Sequence, residues 1–203
     1  MPLLMLRDLP RYECLLEASR EFPDLDPSAT EVFLHLLRAG DEAFRSVEEH
    51  LARHEISQGR FGVLMALWGH ERRGGAGSPE GMTPAELADH TAVTRATITG
   101  LVDTLERAGL VKRTPHQEDR RMMTVELTER GRSRLSDIMP EHFRRMAWLM
   151  ASLSEEERTV FVRLLSKVMA RAGERGAEVP ADTEASPAGS GVAHGLPAEA
   201  MLA

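Results

Sequence analysis

The chain has 203 residues, of which 42% are hydrophobic and 28% are charged, and its formal net charge is −7. These values are typical of one ordinary soluble domain with a sizeable core, and no apolar run approaches the roughly 20 residues of a membrane helix. A single cysteine, Cys14, excludes an internal disulfide framework, and the start of the chain lacks the pattern of a signal peptide, so we expect a cytoplasmic protein.

Helical patterns predominate in the first third of the chain. We expect an N-terminal extension over residues 1–29 that contains one helix, followed by a long helix over residues 30–56. One face of this long helix carries the apolar residues Phe33, Leu37, Phe44, Val47 and Leu51. A second stripe with helical spacing consists of Phe61, Leu64, Met65 and Trp68. Both stripes recur every three to four residues, which predicts amphipathic helices.

The middle of the chain predicts two short helices and a hairpin. Thr83-Pro84-Ala85-Glu86 is a capping box with proline at the first helical position, and Thr94 is expected to cap a second helix. The buried stripe of this second helix is predicted to be Ile98, Leu101, Val102 and Leu105. Gly109 supplies a left-handed stop. Two strand-like runs over residues 110–114 and 122–127 then flank a charged turn.

The last third predicts two more helices and a tail. Thr128 begins the first of them, which contains Pro140, a residue that can kink a helix. Ser154-Glu155-Glu156-Glu157 is a second capping box. The residues expected to point inward from the last helix are Phe161, Leu164, Leu165 and Val168. Residues 174–203 are rich in Ala, Pro, Gly and Ser and are expected to be disordered.

The second short helix offers chemistry suited to DNA on the face opposite its apolar stripe. Arginine suits guanine, and threonine can donate, accept or contact a thymine methyl. The candidate residues at its start are Thr94, Arg95, Thr97 and Thr99. Gly100 costs roughly 1 kcal/mol of helix propensity against alanine, and a close approach to DNA is one reason to tolerate it. The net charge argues against DNA, but residues 83–134 carry nine Lys/Arg against eight Asp/Glu, and phosphates respond to local charge.

The charged turn is a second candidate contact. Arginine is the side chain that best enters a narrow minor groove, so Arg120 and Arg121 are predicted DNA contacts, with Asp119 holding the turn in shape. Lys112 and Arg113 on the preceding strand are predicted to meet phosphates. A charged turn is more often only solvated, and it is the order of helix, helix and hairpin that favours DNA binding.

Residues 87–131, LADHTAVTRATITGLVDTLERAGLVKRTPHQEDRRMMTVELTERG, resemble the winged helix-turn-helix of the MarR family of bacterial regulators. The DRR sequence followed by V-x-L-T-x-x-G is the most specific part, and the resemblance covers roughly residues 30–172. It implies a mainly α homodimer whose N- and C-terminal helices form the dimerisation domain. The implied divisions are a dimerisation helix at 30–56, the DNA-binding domain at 57–134 and dimerisation helices at 135–173. It also implies a repressor that binds double-stranded DNA at a palindromic operator and is released by a small aromatic or anionic ligand.

The extension and the next two helices are similar to the urate-responsive PecS-type subgroup of this family. That subgroup uses an aspartate where this chain has Gly62, and a tryptophan in the first helix where this chain has none. Urate is therefore not the expected effector. The resemblance implies a ligand pocket between the dimerisation helices and the DNA-binding domain, with Phe61, Met65 and Trp68 as candidate lining residues.

Three further features of the sequence each have a plainer explanation. Cys14 is either a redox-sensing thiol or a buried, inert one. His50 and His54 have a spacing that can hold zinc, but a solvated helix face explains them, so no metal site is expected. No P-loop, GxSxG or other catalytic motif is present, so we expect no catalytic residues, no cofactor and no enzyme activity. A winged-helix module that binds proteins is the remaining alternative.

Overall fold

The computed structural model describes residues 2–4, 6, 8–73, 81–115 and 122–174. In chain order, the elements within these ranges are α1 Tyr12–Glu21, α2 Pro27–Arg53, α3 Gln58–Arg73, α4 Pro84–Thr91, α5 Arg95–Arg107, β1 Val111–Pro115, β2 Met123–Leu127, α6 Glu129–Leu149 and α7 Glu155–Gly173. The fold is therefore mainly helical with one small sheet, as the sequence predicts. Of the helices described, none combines the length and the apolar character that crossing a bilayer requires.

Side-chain caps fix where several helices begin. The Thr83 and Ser154 capping boxes both form, each with its glutamate three residues later reaching back to the backbone of the capping residue. The Thr94 hydroxyl accepts from the backbone N–H of Thr97, and the Thr128 hydroxyl accepts from that of Gly131. Each cap is worth about 1 kcal/mol because it satisfies an N–H that has no partner inside the helix. The predicted helix starts at these four residues are confirmed.

The two strands form an antiparallel hairpin, the wing, with Val111 opposite Leu127 and Pro115 opposite Met123. The wing is tied to the start of α4 by a bridge in which Met82 and Val125 exchange backbone hydrogen bonds of 3.0 and 2.8 Å. Gly81 permits this approach, since a Cβ there would lie 2.1 Å from the carbonyl oxygen of Val125. This bridge was not predicted from the sequence.

One hydrophobic core lies between α3, α4, α5, the wing and the first half of α6. Its fully buried side chains include Leu64, Leu87, Ile98, Leu127 and Leu135. The predicted stripe of α5 is confirmed, with Leu101 at its half-buried edge. The core therefore holds the helix-turn-helix and its wing as one packed unit.

Apolar residues on α2 and α7 remain outside this core. Phe33 and Phe44 of α2 are exposed, and α7 has no buried residue at all. The expectation that α7 points its apolar stripe inward is wrong for a single chain: Phe161, Leu164 and Val168 are each at least 41% exposed. Their periodicity is that of a packed helix, but none of the residues that the structure describes covers them.

Two expectations about polar side chains also need correction. His50 does not lie on a solvated helix face, because α6 covers the end of α2 and leaves His50 0% exposed. Cys14 is exposed on α1, so the alternative of a buried thiol is wrong. α6 continues through Pro140.

Candidate nucleic-acid interface

α4 and α5 are joined by a turn of three residues, as a helix-turn-helix requires. Ala92 adopts the left-handed conformation with φ of 54°, and the N–H of Val93 bonds the carbonyl of Ala88 at 3.2 Å. Because Ile98, Val102 and Leu105 are anchored in the core, the opposite face of α5 points to solvent. The arrangement presents one short helix, held rigidly along its length, on the surface.

The predicted contact residues of α5 lie together at its start. Arg95, Thr97 and Thr99 are exposed, as is the capping residue Thr94. The Thr94 and Thr97 hydroxyls lie 2.9 Å apart, and the Thr99 hydroxyl donates to the carbonyl of Arg95 at 3.0 Å. In the part of the chain that the structure describes, the Arg95 guanidinium has no ion-pair partner. The first turn of α5 carries no acidic residue, so its positive end is available to an anion.

Gly100 lies on the same exposed face, one turn further along α5. A Cβ at this position would meet none of the described residues within 4 Å, so packing among them does not require glycine there. Glycine in an exposed helix interior costs about 1 kcal/mol against alanine. Gly100 therefore lowers the stability of α5, and no packing contact among the described residues compensates for this loss.

The wing holds its basic residues differently from the sequence-based expectation. The Arg113 guanidinium donates to Asp103 at 2.6 Å and to Glu106, and the Arg113 N–H donates to Glu106 at 3.1 Å. The hydrogen bond to Asp103 and the charge of Glu106 raise the pKa of Arg113, against the effect of its partial burial. Arg113 is thus engaged in fixing β1 to α5, and it would have to give up these hydrogen bonds to meet a phosphate.

Lys112 remains on the outside of the wing. Its ammonium lies 2.9 Å from Glu126 across the hairpin, and more than half of its side chain is exposed. Burial raises the pKa of Glu126, but hydrogen bonds from Thr114 and Lys112 outweigh it and hold that pKa below its usual range. The other predicted wing residues, Asp119, Arg120 and Arg121, lie outside the described residues.

A cavity of about 480 Å³ lies between α3 and one side of the helix-turn-helix. Its lining residues are Gln58, Gly59, Gly62, Met65, Ala66, His90, Thr91, Val93 and Leu101. Of the three candidate pocket residues, only Met65 lines it. Phe61 is buried on the other face of α3, 4.9 Å from the His142 ring, and Trp68 stacks under the Arg72 guanidinium. The three candidates therefore do not share one site.

Comparison with known proteins points to a single family. The sequence profile described as "MarR family" matches residues 54–122. The chain is 34% identical over 166 residues to the HTH-type transcriptional repressor YetL of Bacillus subtilis, covering 82% of this chain and 95% of YetL. It is 29% identical to the HTH-type transcriptional regulator PecS of Dickeya dadantii, over 81% of this chain and 95% of PecS.

Solved structures share the fold. A mutant of MarR from E. coli complexed with operator DNA superposes with a TM-score of 0.60 and 23% identity, covering 72% of this chain and 99% of that one. The S. aureus MepR–DNA complex gives a TM-score of 0.59 and 23% identity, over 68% of this chain and 96% of that one. The relatives and the family are DNA-binding transcriptional regulators and not enzymes, in agreement with the absence of catalytic motifs.

The open space around Gly100 leads to opposite expectations for stability and DNA binding. Gly100→Ala should raise the free energy of unfolding by up to about 1 kcal/mol. The same methyl group should weaken DNA binding by about 1–3 kcal/mol if DNA approaches α5 closely there. Urea denaturation and fluorescence anisotropy measure the two effects. Gly62→Ala, a helical glycine with equally open space, is the matched control and should leave DNA binding unchanged. Equal DNA affinity of Gly100→Ala and wild type would show that DNA does not pack against this position.

Proposed function

The chain belongs to the MarR family of DNA-binding transcriptional regulators, and we propose that it is a homodimeric repressor that binds a palindromic operator and is released by a small aromatic ligand. The exposed start of α5, with an unpaired Arg95 among the described residues, is the observation that carries the proposal. A dimer presents two such helices about one DNA turn, ~34 Å, apart in successive major grooves. The protein would act in the cytoplasm, on chromosomal DNA.

Each DNA contact has a distinct proposed role. Arg95 reads a guanine edge in the major groove, and Thr97 and Thr99 contact neighbouring bases. The amide end of α5 at Thr94 accepts a phosphate. Arg120 and Arg121 enter the minor groove from the wing tip, with Asp119 shaping the turn.

Lys112 and Arg113, the remaining basic residues of the wing, have different proposed roles. Lys112 gives up its pairing with Glu126 for a phosphate, since the Lys112 side chain is more than half exposed and can turn away from the wing. Arg113 has no DNA contact in this proposal, because its donors are already engaged by Asp103 and Glu106.

Binding to the DNA upstream of the protein's own gene is the first test, by fluorescence anisotropy over a salt series with random DNA as the competitor. Affinity should fall steeply with salt, because phosphate contacts release counterions. Arg95→Ala should cost about 1–3 kcal/mol and relax base preference. Replacing Arg120 and Arg121 together by alanine should weaken binding to all sequences and reduce the salt slope by up to about 2.

Arg107→Ala is the matched control, because Arg107 lies at the far end of α5 and bonds within its own helix. It should bind as wild type does. Wild-type affinity in the Arg120/Arg121 variant would exclude the wing role. A purified dimer that binds no DNA at low salt would exclude the repressor proposal and favour a protein-interaction module.

The exposed apolar faces of α2 and α7 support the homodimer. A 19-residue helix without a single buried side chain gains little from packing, and isolated helices are marginal in water. Monomeric proteins rarely expose apolar patches of this extent. The exposed large apolar residues of the second half of α6 and of α7 are Phe143, Met146, Trp148, Val160, Phe161, Val162, Leu164, Val168 and Met169. A second copy of the chain would cover these surfaces.

Leu164→Glu should weaken the dimer, because it places a charge within the apolar face of α7. Arg163→Glu introduces the same side chain at the neighbouring position, on the polar face of the same helix, and is the control. Sedimentation velocity over a range of protein concentrations should show dissociation of Leu164→Glu at concentrations where Arg163→Glu remains dimeric. Operator binding should weaken in parallel. A monomeric wild type, or equal dimerisation of the two variants, would contradict the proposed interface.

The cavity beside α3 is the proposed effector site. Met65, Ala66, Val93 and Leu101 provide apolar walls, and His90 is among the few polar groups. Its lining, within the described ranges of the chain, includes no Lys, Arg, Asp or Glu, which favours an uncharged aromatic ring over an anion. A ligand that occupies this space acts by binding more tightly to the dimer in which the α4–α5 unit has moved away from its DNA-binding position.

Filling the cavity tests this site. Gly62→Leu should leave operator affinity close to that of wild type, since a Cβ at Gly62 meets no atom within 4 Å. It should abolish release by whichever compound in a panel of phenols, aromatic acids and purines dissociates the wild-type complex. Anisotropy titrations of the preformed complex provide the measurement. Release of the Gly62→Leu complex at wild-type ligand concentration would place the effector elsewhere.

A further inference from the structure

A group of metal-binding side chains lies where the end of α2 meets α6. His50 lies in the last turn of α2 and His54 directly follows this helix, and both face Glu141 of α6. His50 Nδ1 lies 3.4 Å from one Glu141 oxygen, and His54 Nε2 lies 3.8 Å from the other. One ligand atom from each of the three residues falls within 4.8 Å of the other two.

His50 and Glu141 share one cationic neighbour, Arg53. Arg53 donates both to His50 Nδ1, at 3.4 Å, and to a Glu141 oxygen. Because arginine has only donors, the His50 nitrogen that faces it carries a lone pair. An imidazole nitrogen and a carboxylate oxygen therefore both face the position that the Arg53 guanidinium occupies.

The second histidine offers a buried nitrogen to a metal ion. His54 Nε2 is buried and has no hydrogen-bond partner among the residues that the structure describes. A buried nitrogen without a partner is costly, and a metal ion would supply that partner.

We propose that His50, His54 and Glu141 bind a divalent transition-metal ion of the zinc class. Two imidazole nitrogens and one carboxylate are a zinc donor set that leaves a fourth position for water. Tetrahedral bonds of ~2.0–2.1 Å separate neighbouring ligand atoms by roughly 3.3 Å. The separations of 3.4 and 3.8 Å are close to this value, and ion binding would draw together the ligand atoms, which all lie within 4.8 Å of one another.

The metal takes the position of the Arg53 guanidinium. The Arg53 side chain is 54% exposed, so it can turn into solvent when the ion binds. Arg145 lies 3.9 Å from Glu141 and is retained by the carbonyl and hydroxyl of Ser46. The bound ion would link α2 to α6 directly.

Zinc binding to the full-length dimer, freed of metal by dialysis against EDTA, tests the proposal by calorimetry with zinc chloride. We expect one site per chain that is weakened at least about tenfold in His54→Ala and in Glu141→Gln. His35→Ala, which removes an exposed histidine from the same helix, should bind zinc as wild type does. Cobalt(II) should give the visible absorption of tetrahedral coordination in wild type but not in His54→Ala.

Arg53→Gln distinguishes this site from adventitious binding to other histidines, because removing the competing cation should tighten zinc binding. Zinc at about 100 times its dissociation constant should also raise the melting temperature of wild type by roughly 5 °C or more, and not that of His54→Ala. Circular dichroism confirms that each variant is folded. Zinc affinity that is unchanged in both His54→Ala and Glu141→Gln, or weaker in Arg53→Gln, would overturn the assignment.

Discussion

The Arg113 guanidinium, held between Asp103 and Glu106, sets the angle between the wing and α5. Asp103 and Glu106 lie on one face of α5, and both accept hydrogen bonds from Arg113 of β1. These bonds fix the position of β1 relative to the helix. Such partly exposed ion pairs add little net stability. Their contribution is geometric, because a surface that reads DNA needs its helix and wing in a fixed relation. Since arginine stays charged at every physiological pH, this relation does not depend on pH.

The distribution of apolar side chains divides the molecule into a closed part and an open part. The helix-turn-helix and wing enclose their own core, from Leu64 on α3 to Leu135 on α6. α7 and the first half of α2 bury little against the rest of the chain. In the proposed dimer, the stability of these helices depends on protomer concentration, while that of the DNA-binding part does not. Local unfolding is therefore expected to begin in α7.

The sequence could predict features that depend on residues close in the chain. Capping by Thr83, Thr94, Thr128 and Ser154 requires a partner only three residues away, so the helix starts were predictable. Strand alternation likewise gave the wing to within a residue.

Features that depend on distant partners could not be predicted in this way. His50 is buried by α6, about ninety residues further along the chain. The spacing of apolar residues along α2 cannot predict a contact with such a distant helix. Arg113 looked like a free cation because its two acceptors lie on α5, seven and ten residues earlier. The α7 stripe was located correctly, but periodicity does not say whether a stripe packs within its own chain or against another.

α3 connects α6 with the cavity, since its Phe61 contacts His142 of α6 while its Gly62 and Met65 border the cavity. At Gly59 a Cβ would lie 3.3 Å from Leu101 of α5, so the two helices pack closely. A ligand that displaces Leu101 must therefore move α5 or α3, because the core around Ile98 is close-packed and leaves little room for side-chain adjustment alone.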